Sequence, residues 1–343
     1  MGVDRPFGVV DADGHISDTI EDVRPFINGQ YRDYRFRLGA GDGFDTNMGG
    51  RLGAVAKNAD HWLEALDLGG MERAVLYPTG GLGYGLIADA DAAVAICSGY
   101  NRYFDETFHK QTDRLHGVAC LPTQNIDEAI NELRSAKKMG FVAGMLPAMA
   151  HGAVLGDDRY FPLYEEAERL GIALAVHSAT QGLDQVGADA YDKFIAVHTY
   201  TFPASMMRQF TSVVFAGVAE RFPHLRLGWM ESGCTWLPFW LDRMNSEWAK
   251  RGDVEAPRLS MRPSEAIRQA PWYFHAEADE SQLPIAVDVL GADKLFYASD
   301  WPHWDHEYPV SLDEVLNRGD VSSDDKRLIA RENALKLYGM PLG

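Results

Sequence analysis

The sequence predicts a closed (β/α)8, TIM-type barrel, and three observations predict it. Short apolar runs rich in β-branched residues recur eight times along the 343-residue chain. Stretches with apolar residues at helical spacing separate them, the alternation that builds a parallel sheet with helical crossovers. Polar residues able to do chemistry sit where several of these runs end: Asp13 and His15, His177, Glu231 and Asp300. A doubly wound open sheet would share the alternation. The count of eight and the polar strand ends favour closure, because a closed barrel gathers its C-terminal strand ends at one face. His15 and Asp300 would meet there although nearly the whole chain separates them.

The predicted strands lie near Phe7–Asp13, Arg73–Pro78, Leu115–Pro122, Phe141–Pro147, Ile172–His177, Leu225–Glu231, Trp272–Glu277 and Leu295–Asp300. Between the first two, Trp62, Leu63, Leu66 and Met71 recur at helical spacing. The stretch Asp127–Met139 opens on acidic residues and closes on Lys137, Lys138 and Gly140, charges that complement a helix dipole. Phe161–Leu170 stops at Gly171, a third helical stretch runs from about Met206 to Phe222, and the last from about Asp324 to Tyr338. Three connections exceed what a plain barrel needs, at about 16–59, 178–203 and 246–270. Each follows a strand, so each is expected over the mouth as a lid or specificity loop. With no linker, repeat or low-complexity tract, residues 1–343 read as one domain with decorations.

Composition narrows the function. The chain carries 32 Lys and Arg against 50 Asp and Glu, a formal charge of −18. That balance argues against nucleic acid and against an anionic membrane face. Hydrophobic residues at 46% and charged residues at 24% suit a folded globular protein. No apolar run approaches the roughly 20 residues of a membrane span. The N-terminus lacks a basic segment leading into an apolar core, so no signal peptide is read. Cys97, Cys120 and Cys234 are odd in number and widely spaced, which suits a reducing compartment. The expectation is a soluble, cytoplasmic protein.

Alternate residues of a strand face the same side, so Asp13 and His15 can both face the mouth as half of a divalent-metal site. Alone, that pair would more often be loop decoration. His177 ends a run apolar enough to be a buried strand, and Asp300 ends another, where a carboxylate is costly unless paired or metal-bound. Four such residues on three strand ends make the metal reading the stronger one. Glu231 ends a further apolar strand and joins the candidates. His198 divides evenly between a structural role and a second metal or substrate contact. His303 and His306 follow Asp300 closely and could support it or simply be solvated. Arg243 reads as a structural partner of a carboxylate. The Gly80–Gly85 stretch lacks the Lys-Ser/Thr of a phosphate cradle and reads as a flexible mouth loop. Trp229, Trp301 and Trp304 are read as pocket lining.

The aspartate-histidine motif at Asp13 and His15, Val176–His177, the segment Pro223–Gly228, the segment Trp236–Arg243 and Ser299–Asp300–Trp301–Pro302–His303 resemble the amidohydrolase superfamily. More narrowly they are similar to its amidohydrolase-2 branch, home of aminocarboxymuconate semialdehyde decarboxylase and related aromatic-acid decarboxylases. The resemblance spans about Val10 to Tyr338. It implies a distorted barrel holding a divalent metal on Asp13, His15, His177 and Asp300, and a homo-oligomer, commonly a dimer. Three positions depart from the pattern. Asp13 stands where a first-strand His is frequent, Trp229 where the decarboxylases carry a sixth-strand His, and the fourth strand has no Lys to bridge two metals.

A divalent ion lowers the pKa of bound water toward ~7, which makes hydroxide available at neutral pH. Asp300 could take that proton and pass it to a leaving group, with His177 and Glu231 beside it. The missing sixth-strand His therefore points to hydrolysis of an ester, thioester, lactone or amide. The alternative is non-oxidative decarboxylation of an aromatic or unsaturated acid, and a third reading is a non-catalytic barrel used for binding. Zn, Mn and Fe(II) all suit the ligands. One ion is expected, and a second would draw on Glu231, His198 and His303. No other cofactor is expected, and the partner is a small-molecule substrate.

Overall fold

The computed structural model describes residues 5–35 and 55–342, so residues 36–54 of the first long connection lie outside the described residues. Eight parallel strands follow one another in chain order around the sheet: β1 Val10–Ile16, β2 Arg73–Pro78, β3 Leu115–Cys120, β4 Ala143–Pro147, β5 Ala173–His177, β6 Leu227–Trp229, β7 Trp272–His275 and β8 Leu295–Phe296. Register places His15 opposite Tyr77 and Pro147 opposite His177. Between β8 and β1 the sheet is joined by single bonds instead of a ladder. Ala12 N donates to the Tyr297 carbonyl at 3.2 Å and Asp300 N to the Asp13 carbonyl at 3.0 Å. The result is a nearly closed (β/α)8 barrel.

The helices form the outer layer, and their ends follow local chemistry. Asn58 and Asn125 cap the helices Ala59–Gly69 and Ile126–Met139 by accepting from the backbone N–H three residues on. Gly140 at φ 98 and Gly171 at φ 58 end helices in the left-handed conformation where a glycine stop was expected. The stretch expected from Met206 begins earlier, as a helix over Phe194–Phe215, and a separate turn Val218–Arg221 follows Gly217. A Cβ on Gly217 would lie 2.4 Å from the Arg258 carbonyl oxygen, so the break there is sterically fixed. Among the described residues no helix is long and apolar enough to cross a membrane.

Several strand boundaries differ from expectation. β1 runs on through His15 to Ile16, with a register shift against β2 between Asp11 and Gly14. β8 is two residues long because its neighbours take its backbone groups. Tyr297 N donates to the Ile329 carbonyl, and Asn333 Nδ2 donates to the Leu295 carbonyl. Ile329 belongs to a π-helical turn, Leu328–Glu332, inside the expected last helix. The 246–270 stretch also departs from a mouth loop. It continues the helix Trp236–Glu255 and carries the helix Pro263–Gln269 into the start of β7, at the other end of the barrel. Gly80–Leu86 is a mostly buried 3₁₀ segment, and a Cβ on Gly85 would sit 2.6 Å from Pro147.

Candidate functional site

At the C-terminal mouth the sheet brings together residues from β1, β5 and the turns after β6 and β8. Asp13 and His15 project from β1, and His177 ends β5. Glu231 and Asp300 follow β6 and β8 in left-handed backbone, at φ 50 and φ 53, a conformation rare for residues other than glycine. Such strain persists where the surroundings over-determine it. Here Asp300 N is held by the Asp13 carbonyl, and the β8 turn is pinned by Asp11, which accepts from Ser299 N at 2.9 Å and from the Ser299 hydroxyl.

The donor atoms face one another. His15 Nε2 lies 3.4 Å from Asp13 Oδ1, 3.4 Å from Asp300 Oδ1 and 3.7 Å from Glu231 Oε1. His177 Nε2 lies 3.4 Å from Asp13 Oδ2 and 3.5 Å from Glu231 Oε2. His15 Nδ1 is bonded to the Pro78 carbonyl at 2.9 Å and His177 Nδ1 to the Ser178 carbonyl at 2.7 Å. A carbonyl only accepts, so both rings carry a proton on Nδ1 and face the cluster with Nε2, the nitrogen a cation would take, as in metal-ligating histidines. Among the described residues both Asp13 oxygens, both Nε2 atoms and Glu231 Oε2 are buried with no hydrogen-bond partner. Unpaired buried polar atoms are costly, and a shared divalent cation would satisfy them together. The residues fit such an ion.

Electrostatics agree. Burial, with the positive His303 and His177 nearby, holds His15 well below its usual range and so neutral. Burial raises Asp13. Burial and the Glu231 charge push Asp300 well above the carboxylate range. Burial works against the Glu231 carboxylate, but His177 and hydrogen bonds from His303 and Asp300 hold it well below its usual value.

His303 joins this group: its Nδ1 lies 2.7 Å from Asp300 Oδ1 and 3.3 Å from Glu231 Oε1. His198 stands apart on the helix Phe194–Phe215, 3.5 Å from Asp305 and among the rings of Phe194, Phe202 and Trp304. These side chains wall a cavity of about 1800 Å³ that reaches Glu231, Asp300 and His303. Of the three tryptophans expected to line it, only Trp304 does. Trp229 stacks on Phe274 and packs on Phe210 of the helix Phe194–Phe215, outside the sheet, and Trp301 packs edge-on against Trp62. Arg243 pairs with Glu247 on the surface. Sequence reasoning missed His275, which ends β7 buried, stacked on Phe296 and 3.3 Å from Glu277. The signal was present, since a histidine closing an apolar strand is the pattern that singled out His177.

A family model described as Amidohydrolase matches residues 10–340. The chain is 26% identical over 259 residues to 2-amino-3-carboxymuconate-6-semialdehyde decarboxylase of Dictyostelium discoideum, covering 75% of this chain and 70% of that one. It is 24% identical over 346 residues to gamma-resorcylate decarboxylase of a Rhizobium species, covering 94% and 95%. Among solved structures, 5-carboxyvanillate decarboxylase of Novosphingobium aromaticivorans, with bound manganese, superposes with a TM-score of 0.75 at 17% identity, covering 98% of each chain. These relatives overturn the expectation of a hydrolase, because those named for a reaction are decarboxylases. That expectation leaned on the missing histidine at Trp229. That position faces the helix layer in this chain, against Phe210, and the residue that reaches the site after β6 is Glu231.

Proposed function

The chain belongs to the amidohydrolase family, and on that premise we propose that it is a metal-dependent, non-oxidative decarboxylase of a small aromatic or unsaturated carboxylic acid. The observation that carries this is the set of buried donor atoms on Asp13, His15, His177 and Glu231, unpartnered among the described residues and joined by Asp300 at the end of an aromatic-walled cavity. The reactions named for the relatives support the choice of chemistry. In this reading Asp13, His15, His177 and Asp300 hold the ion, and manganese is the first to test.

A bound divalent ion would draw in the substrate carboxylate and stabilise charge as it develops. Phe194, Phe202 and Trp304 give the flat body of the substrate an apolar wall and displace water from it. Asp300 and His303 hold a proton between them over 2.7 Å, next to the cavity. The bond from carbon to carboxylate breaks, its electron pair stays on carbon, the proton of the Asp300–His303 pair bonds there, and carbon dioxide leaves. Glu231 accepts from His303 and keeps that ring facing the reacting carbon.

The test is metal-stripped protein, reloaded with manganese, zinc or iron(II), given 2,6-dihydroxybenzoate, 5-carboxyvanillate or aminocarboxymuconate semialdehyde in D2O. Carbon dioxide release with one deuterium at the vacated carbon is expected from at least one acid. Absence of release from all three with every ion would overturn the reading.

A further inference from the structure

β2 ends on Pro78, and the next residue is Thr79. These two neighbours hold two imidazoles whose ring centroids lie 3.9 Å apart, His15 and His303. Pro78 does so through its carbonyl, on His15 Nδ1 at 2.9 Å, and Thr79 through its hydroxyl, on His303 Nε2 at 3.0 Å. The two partners differ in kind. A carbonyl only accepts, so it fixes His15 in the tautomer that leaves Nε2 unprotonated. A hydroxyl donates or accepts, so it is compatible with a proton on either nitrogen of His303 or on both. Thr79 is itself clamped, because the buried Asp18 carboxylate accepts from Thr79 N at 2.7 Å and from Gly80 N at 3.1 Å. A Cβ on Gly80 would lie 3.0 Å from Asp18 Oδ2, so the turn is closely fitted to that carboxylate.

We propose that Thr79 is a positioning residue for the reaction: its hydroxyl sets the ring of His303 across Asp300 and Glu231 while accepting either ring tautomer. The inference rests on the decarboxylase reading for its kinetic test. The step served is the one above, in which a proton leaves the Asp300–His303 pair for carbon. Thr79 contributes no atom to it and fixes where the ring that shares the proton lies.

The experiment compares Thr79→Val, which removes the hydroxyl, with Thr79→Ser, which keeps it. On whichever of the three acids the wild type consumes, Thr79→Val is expected to lower kcat about 10- to 100-fold, the scale set by a misplaced or unsupported active-site group. KM and manganese content should stay at wild-type values, and Thr79→Ser should lie within about threefold of wild type. Nitrogen-15 imidazole spectra of the zinc-loaded proteins give a second readout. The His303 resonances, assigned from His303→Gln, should shift in Thr79→Val and not in Thr79→Ser. An unaltered Thr79→Val, a Thr79→Ser as impaired as the valine variant, or loss of metal along with kcat would each overturn the proposal. If the wild type consumes none of the acids, the decarboxylase reading fails on its own, and the His303 resonances alone decide whether Thr79 sets that ring.

Discussion

Asp18 is three residues beyond His15 yet takes no part in the donor cluster. Its Oδ1 accepts from two backbone N–H groups, and its Oδ2 is buried without a partner among the described residues. Burial pushes its pKa from 3.8 up to about 6. The folded chain therefore holds this proton more tightly than the unfolded chain does. The associated stability is fully present below pH 4 and is lost as pH rises through about 6. That loss is on the order of 3 kcal/mol. Asp18→Asn keeps an acceptor for Thr79 N and removes the titration. Its urea midpoint is expected above wild type at pH 7 and equal to it near pH 4. A difference that stays constant across that range would contradict the assignment. None of this was legible in the sequence, where Asp18 is one acidic residue among fifty.

Within β1, function is packed at strand period. Asp11 pins the β8 turn, and Asp13 and His15 face the mouth. Gly14 makes room for Trp62, whose Nε1 donates to the His15 carbonyl at 2.9 Å. A Cβ at Gly14 would lie 2.2 Å from the indole ring. Gly14→Ala is expected to destabilise the fold by about 1–3 kcal/mol, the usual cost of overpacking. It should also weaken metal binding, because the indole that anchors His15 has to move. Gly140→Ala, at a helix end with φ 98 and open space around it, should cost about 1 kcal/mol and leave metal affinity unchanged. Denaturant titration and metal titration of the two variants separate backbone strain from damage to the site. The expected and observed strands agree best for β2, β4 and β5, whose apolar runs end at a sharp change of residue type. They agree least for β8, where the bonds that end the strand come from Ile329 and Asn333, invisible to local pattern.

For the molecule as a whole, an ion on Asp13, His15, His177 and Asp300 would tie together three strand ends drawn from both ends of the chain. A ligand that binds only the folded state stabilises it, by about 2.7 kcal/mol at a hundred times its Kd. Chelation is therefore expected to lower Tm and manganese to restore it, with His177→Ala showing neither response in calorimetry. A Tm indifferent to both treatments in the wild type would remove the metal reading. The net charge of −18 favours capture of a cation from solution.

The barrel and the candidates Asp13, His15, His177 and Asp300 were legible in the sequence, because both are written in local pattern. Period-2 and helical spacing report burial, and a polar residue closing an apolar strand reports a mouth. The sequence also carried Glu231 and His303 as candidates without placing them. Folding brings both into the cluster and leaves His198 on the cavity wall. Glu231 and Asp300 reach the centre through left-handed turns, and the Asp300 turn takes its direction from bonds to Asp13 and Asp11 across the closing seam. Thr79 and Asp18 became meaningful for the same reason. Their partners lie in segments that follow other strands, and hydrogen bonds between distant segments leave no periodic trace in a sequence.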